Sequence, residues 1–365
     1  MLFLAVAISF FITVLLLPVI IRFFIAIDLL DIPEKRKVHV HGTPSMAGIA
    51  IFISLIITVL FTVPFQELVN NKYVLAGAFL TFLLGFRDDI SSLQARHKLV
   101  IQALAAFLVV HFTGIRLDSL HGLVGIYEIP GWIGTGISVF FIMAMSNAFN
   151  LIDGIDGLAG IISASVLILL GTWFIYSQNI FFSILCMALA SALIGFLLFN
   201  WHPARIFLGD TGSMFIGFLL SCITIVFINE NSVAKTMGEF YFPSFLSIAA
   251  AILIIPIYDT MRVFIIRILA GRSPFFPDKL HIHHILVKQG YNHSQTALIL
   301  FTFNMFSLLV AWVMQGIADQ YVLLVLAALA FGFGTYFDFK LKKYLVNQRA
   351  KAKMERSSFY ISKSA

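Results

Sequence analysis

The feature that most constrains this chain is a succession of eleven apolar runs, at about 2–27, 46–64, 73–87, 98–113, 132–149, 157–177, 180–199, 212–228, 244–270, 295–316 and 321–339. A helix of roughly 20 apolar residues spans the hydrocarbon of a bilayer, and most of the runs approach that length. Only 12% of the 365 residues are charged, too few to cover a water-soluble globule of this size. A secreted or cytosolic enzyme is excluded. So is a membrane β-barrel, whose strands alternate polar and apolar residues. The expected fold class is all-α, a polytopic integral membrane protein with about eleven transmembrane helices, N-terminus outside and C-terminus cytoplasmic.

Charge sets the orientation. The first run opens Met-Leu-Phe-Leu with neither a basic stretch nor a small-residue cleavage site, as expected of a retained helix and not a signal peptide. Lys35, Arg36 and Lys37 follow it, which places its start outside the cytoplasm. With the runs alternating, the outer loops hold Lys72, Arg116 and Lys235, leaving 21 of the 24 basic residues on the inner side. A bias this steep supports the parity of the alternation, because one miscounted span scrambles it. Residues 1–340 read as a single transmembrane catalytic domain and 341–365 as a basic cytoplasmic tail beside anionic lipid. A net charge of +6, spread along one membrane face, gives no sign of nucleic-acid binding. Cys186 and Cys222 sit inside apolar runs and read as small buried hydrophobes.

On this map the unusual polar residues gather on the cytoplasmic face. Asp88-Asp89 end the third run and Lys98 opens the fourth. Such a pair can bind a divalent ion, supply a base beside a cation, or merely terminate a span. Lys98 is either an interface anchor or a phosphate partner. More specific is Asn147-Ala-Phe-Asn150-Leu-Ile-Asp153-Gly-Ile-Asp156-Gly. Asn147, Asn150 and Asp153 recur every three residues and share one helical face, while Gly154 and Gly157 permit a turn or a close backbone approach. Capping, with Asp156 as the next N-cap, accounts for some but not all of these polar side chains at a membrane edge. Asp210 precedes the eighth run and reads as an N-cap or as a ligand for a hard cation.

His281, His283 and His284 lie in a cationic loop with Arg272, just after Arg262 and Arg267. No cysteine is near, so these histidines read as phosphate or sugar contacts in preference to a zinc site. Asp259 and Arg262 are expected to pair with each other. His39, in the first inner loop, is a further candidate for the site, whereas the outer loop 114–131 shows only a loose alternation of Leu117, Leu120, Leu123 and Ile126. Carboxylates collected at one membrane surface suggest chemistry joining a water-soluble molecule to a lipid. A transporter of a cation or sugar is the alternative, but it would hold its acids near mid-membrane.

Taken in order, these stretches resemble the polyprenyl-phosphate N-acetylhexosamine-1-phosphate transferase family. The likeness runs from the Lys37–His39 loop to the His281–His284 loop. The His-Ile-His-His run favours the branch that starts O-antigen and teichoic-acid synthesis (WecA/TagO-like). At 44–48 the family's Pro-Arg-x-Gly-Gly is replaced by Pro44-Ser45-Met46-Ala47-Gly48, so the arginine is lacking. The resemblance implies about eleven helices and a cytoplasmic active site in a bacterial inner membrane. It implies Asp88, Asp89 and Lys98 as catalytic residues and Asp210 with Asn150 as ligands of Mg²⁺, for which Mn²⁺ can substitute. Asn147, Asp153, Asp156, Arg267, Arg272, His39, His281, His283 and His284 match substrate-binding positions. The implied reaction moves a sugar-1-phosphate from a UDP-N-acetylhexosamine to undecaprenyl phosphate and releases UMP. The phenylalanine-rich helices suit a monomer and a homodimer alike.

Overall fold

The computed structural model describes residues 1–30, 42–238, 240–273 and 280–364, with side chains as far as residue 346. His39 and Lys37 lie outside the described residues, as do Asp278 and Lys279. The first half holds α1 (Leu2–Ala26), α2 (Gly48–Thr62), α3 (Phe65–Asn70), α4 (Lys72–Ile90), α5 (Ala95–Thr113) and the strands β1 (Ser119–Leu123) and β2 (Ile126–Glu128). Next come α6 (Gly131–Ile152), α7 (Leu158–Tyr176), α8 (Ile180–Asn200) and α9 (Gly209–Met237). The chain closes with α10 (Phe245–Ile252), α11 (Ile254–Leu269), α12 (Ile282–Lys288), α13 (His293–Val313) and α14 (Asp319–Ser364).

Among the described residues, eight helices are long and apolar enough to cross a membrane: α1, α5, α6, α7, α8, α9, α13 and part of α14. The pair α10 and α11 makes a ninth span if its 70° bend is counted as one crossing. Helix α2 is apolar but has 15 residues, and α4 carries charge at both ends, with Lys72 at one and Arg87, Asp88 and Asp89 at the other. The chain is thus a polytopic helical membrane protein.

The run 244–270, continuous in sequence, is broken at Leu253. Proline explains the break. Pro256 has no amide to give to the carbonyl of Ile252, and its ring crowds that carbonyl. The Asn304 side-chain amide turns to the same carbonyl at 3.4 Å.

Helix α9 is the axis of the bundle. It is apolar around its whole circumference, as a helix surrounded by protein must be, and its most apolar stretch is entirely buried. Helices α4, α6, α2 and α7 pack on it. Between helices, apolar contact has little advantage over lipid, so small polar ties add specificity. The Ser9 hydroxyl donates to the Ala188 carbonyl at 2.7 Å, and Thr13 donates to Ser54 at 2.8 Å.

Loop 114–131 departs from the all-α expectation. It forms an antiparallel hairpin in which Leu123 pairs with Ile126 across Val124 and Gly125. Both turn residues have positive φ, 49° and 79°, the twist that a two-residue hairpin turn requires.

Adjacent helices run up and down, so the C-terminal ends of α4, α6 and α8 meet the N-terminal ends of α5, α7 and α9. The start of α2 joins the same end, where Ala47 and Gly48 donate amides to the carbonyls of Phe207 and Leu208 at 3.0 and 3.1 Å. The hairpin, between α5 and α6, lies at the opposite end.

Candidate active site

Four carboxylates and one lysine converge where these ends meet. Lys98 Nζ pairs with Asp88 and lies 3.2 Å from Asp210. The Asp88 side chain also accepts the Leu93 amide at 2.6 Å, which fixes the turn between α4 and α5. Lys98 is thus neither a lone interface anchor nor a free phosphate partner in this state. It neutralises two acids from different helices.

Asp89 has another task. Its carboxylate accepts the backbone amides of Asp210 and Thr211 at 2.9 and 2.8 Å, and the Thr211 hydroxyl as well. The first amides of a helix have no partner within it, and a carboxylate there also interacts well with the helix dipole. An acid on α4 therefore caps α9. This corrects the N-cap reading of Asp210, which lies inside the first turn with Leu208 at the cap position. Gly85 makes the approach of α4 to α9 possible, because a Cβ there would stand 2.2 Å from the Asp210 carbonyl.

Asn150 donates from Nδ2 to Asp210 at 2.6 Å and to the Ser213 hydroxyl at 3.0 Å. Asn147, one turn earlier, donates to Gln102 at 2.7 Å and to the Met143 carbonyl at 2.8 Å. It ties α6 to α5 and does not line the cavities described below. Asp153 ends α6 half-buried, beside the cavity described below. Burial drives its pKa well above the ordinary carboxylate range, and the charges of Asp210, Asp89 and Asp156 push in the same direction.

Asp156 is not the N-cap of α7, a place taken by Gly157 with φ 79°. Its carboxylate meets His202 Nδ1 at 2.6 Å, His293 Nδ1 at 3.1 Å and the Ala204 amide at 3.2 Å. Burial raises its pKa, but the hydrogen bonds from His293 and His202 outweigh that and hold it below the usual value.

The histidine loop folds as α12 with His281 at its cap position. The expected Asp259–Arg262 pair does not form. Asp259 is buried and meets His281 Nδ1 at 2.8 Å and the Ile282 amide at 2.8 Å, while Arg262 grips Asp338 at 2.6 and 2.7 Å. Residues three apart on a helix share a face, but here α12 and α14 supply partners with better geometry. His283 is buried beside His284, their ring centres 4.2 Å apart. Its two ring nitrogens have no hydrogen-bond partner. Burial lowers its pKa to about 3, so it is a neutral imidazole. It packs on Gly154, where a Cβ would come within 2.4 Å of Nε2. Arg267 is buried on α11 and Arg272 is exposed beyond its end; neither lines the cavities around the carboxylates.

Two cavities adjoin at this centre. One, of about 440 Å³, is lined by Asp88, Lys98, Ser92, Leu29 and Leu30 together with Ser45, Asp89 and Asp210. The other, of about 460 Å³, shares Ser45, Asp89 and Asp210 and extends along Asn150, Asp153, Asp156, Asn200 and His293. Asp89 and Asp210 form the partition. Sequence reasoning missed Ser45, Gln102, Asn200, His202 and His293. Each is an ordinary polar residue in sequence, without a periodic or clustered signal, and acquires its place only by folding.

The donor set suits a hard divalent cation. Asp88, Asp89, Asp153 and Asp210 bring four carboxylates, and Lys98 is the one lysine paired with them among the described residues. Asp210 supplies carboxylate oxygens of the kind Mg²⁺ takes, and Asn150, which now turns its amide nitrogen to Asp210, would add its oxygen only after its amide turned over.

Fold and site together define a polytopic membrane protein with an acidic centre at one end of its helix bundle. The chain belongs to glycosyl transferase family 4, whose model matches residues 71–228. A probable undecaprenyl-phosphate N-acetylglucosaminyl 1-phosphate transferase of Bacillus subtilis (strain 168) is 34% identical over 301 residues, 81% of this chain and 80% of that protein. The undecaprenyl-phosphate alpha-N-acetylglucosaminyl 1-phosphate transferase of Escherichia coli (strain K12) is 28% identical, over 91% of this chain and 89% of its own length. The decaprenyl-phosphate N-acetylglucosaminephosphotransferase of Mycobacterium tuberculosis (strain ATCC 25618 / H37Rv) is 30% identical over 74% of this chain and 71% of its own. The transporter alternative finds no support in these likenesses.

Proposed function

We propose that this chain transfers N-acetylglucosamine-1-phosphate from UDP-N-acetylglucosamine to undecaprenyl phosphate and releases UMP. The observation that carries the reading is the partition of two adjoining cavities by Asp89 and Asp210. A lipid phosphate and a nucleotide sugar each need a compartment, and their phosphates must meet at one point. The acceptor phosphate fits the side with Lys98, whose ammonium orients it and is itself held by Asp88. The donor fits the side with Asn150, Asp153 and Asp156.

Phosphoryl transfer asks chiefly for alignment and for neutralisation of charge. An acceptor phosphate monoester has a second pKa of about 6 and is largely ionised at neutral pH, so it needs little help from a base. Direct attack of its oxygen on the β-phosphorus is therefore favoured over a phospho-sugar on Asp88 or Asp89. The engagement of both acids supports this, since Asp89 caps α9 and Asp88 is held by Lys98 and Leu93. Asp210 and Asn150 are the residues that would hold Mg²⁺, or Mn²⁺ in its place. When bound, the ion neutralises the diphosphate and the departing UMP. Arg267, Arg272 and the His281–His284 segment remain candidates for the outer phosphate and sugar contacts.

Counting α2, α4 and the bent α10–α11 pair as crossings gives eleven spans. With the N-terminus outside, the carboxylate end of the bundle faces the cytoplasm of a bacterial inner membrane. The gathering of alternating helix ends at that one face supports this parity, as does the basic bias of the inner loops.

The test is reconstitution. Purified chain with Mg²⁺, UDP-N-acetylglucosamine and undecaprenyl phosphate is expected to yield UMP and a lipid-pyrophosphate sugar, and Asp210→Asn to reduce turnover nearly to background. Failure to release UMP from any UDP-N-acetylhexosamine overturns the assignment.

A further inference from the structure

A second group of metal-ligating side chains shares a cavity with Asp210 but makes its own set of contacts. Asp156 follows α6, His202 lies between α8 and α9, and His293 opens α13. Their donor atoms lie within 4.8 Å of one another. Both imidazoles turn Nδ1 towards the same carboxylate, at 2.6 and 3.1 Å, and their ring centres are 5.0 Å apart. The Asp156 side chain is nearly enclosed, 7% exposed, whereas each histidine is 36% exposed and leaves the group open on one side.

From this geometry we infer that Asp156, His202 and His293 form a binding site for one zinc-class transition-metal ion, separate from the Asp210–Asn150 pair. Two imidazoles and a carboxylate are a usual protein donor set for zinc, with a fourth position left to water or substrate. Bonds of about 2.0–2.1 Å put tetrahedral donors roughly 3.3 Å apart, so small side-chain movements bring the three into place. Imidazole selects such ions over Mg²⁺, which prefers the oxygen donors around Asp210. The ion takes the space now spanned by the two hydrogen bonds, each imidazole giving it the Nδ1 lone pair. It clips together three segments that are distant in sequence. Because Asp156 and His293 also line the larger of the two shared cavities, the ion stands at the mouth of that compartment.

The test uses the full-length protein in detergent, stripped of metals, with excess Mg²⁺ present and Co²⁺ as the spectroscopic probe. One Co²⁺ per chain with tetrahedral visible bands, displaced by Zn²⁺, is expected. Affinity should fall at least tenfold in His202→Ala and in His293→Ala but not in His284→Ala. Loss of binding in His284→Ala, or unchanged binding in the first two variants, overturns the inference, as does the absence of any tetrahedral band in the unaltered protein. His202→Gln, with its melting temperature measured alongside, separates a lost ligand from a misfolded variant. Because the readout is metal binding, it succeeds or fails independently of the transfer reaction.

Discussion

Asp89 accepts the main-chain amide of Asp210 at 2.9 Å, so the helix that carries one acid of the site is capped by another acid from α4. The position of Asp210 is therefore set from outside its own helix. Removing the cap should cost about 1–2 kcal/mol of stability and displace Asp210. Asp89→Ala is expected to melt several degrees lower and to lose nearly all turnover. Asp89→Asn keeps one acceptor, so it should recover most of the melting temperature but little of the activity. Thermal unfolding in detergent and UMP release separate the two effects.

Lys98 balances Asp88 and Asp210, and its loss leaves carboxylates facing one another with no counter-charge. Breaking a partly buried pair of this kind is expected to cost about 2 kcal/mol. In Lys98→Met the loss should be large in metal-free buffer and smaller with Mg²⁺, because a divalent ion supplies the missing charge. Melting curves with and without Mg²⁺ measure this. Turnover should stay at least tenfold low in both conditions, since the ion does not replace an ammonium that orients a phosphate.

Asp153 has a pKa raised by burial and by neighbouring acids, so its ionised form weakens the native state. Between the unfolded value of about 3.9 and the higher folded value, the native state holds a proton that the unfolded chain releases. Stability due to this group therefore falls as pH rises through that window. Asp153→Asn should match the unaltered protein below about pH 4, gain stability as pH rises, and level off above the folded value. A gain of about 1 kcal/mol at neutral pH with reduced UMP release is the expected trade. Melting temperature against pH, without divalent ions, is the measurement.

Gly85 lets α4 lie against the first turn of α9, where a Cβ would meet the Asp210 carbonyl at 2.2 Å. Gly85→Ala should destabilise by about 1–3 kcal/mol and depress turnover, because α4 must move and takes Asp88 and Asp89 with it. Gly136→Ala is the control. It lies in α6 with nothing within 4 Å of the added atom, and it should be neutral or slightly stabilising, as alanine is in a helix. Parallel melting curves and rates decide.

The membrane class and the positions of the apolar runs were legible in sequence because hydrocarbon imposes a local rule: a span must be long, apolar and internally hydrogen-bonded. The side on which the basic residues fall gave an expected orientation in the same residue-by-residue way. Asp88, Asn150 and Asp210 could be picked out because polar side chains at the edge of an apolar run are costly and conspicuous. Which of the singled-out residues pair with which could not. Lys98 lies 112 residues from Asp210, and Asp89 lies 121 from the amide it accepts. Only the packing of α4, α5 and α6 around α9 brings them into contact. The same holds for Asp259, whose obvious neighbour Arg262 pairs elsewhere while His281 comes from beyond the end of its helix. His202 and His293 were invisible for the same reason. Sequence thus determined the helical membrane class and marked the polar residues at the ends of the apolar runs, since both follow from transfer energies that act residue by residue. Which side chain faces which is decided by helix packing, where a shared hydrogen bond depends on distances set by the whole bundle.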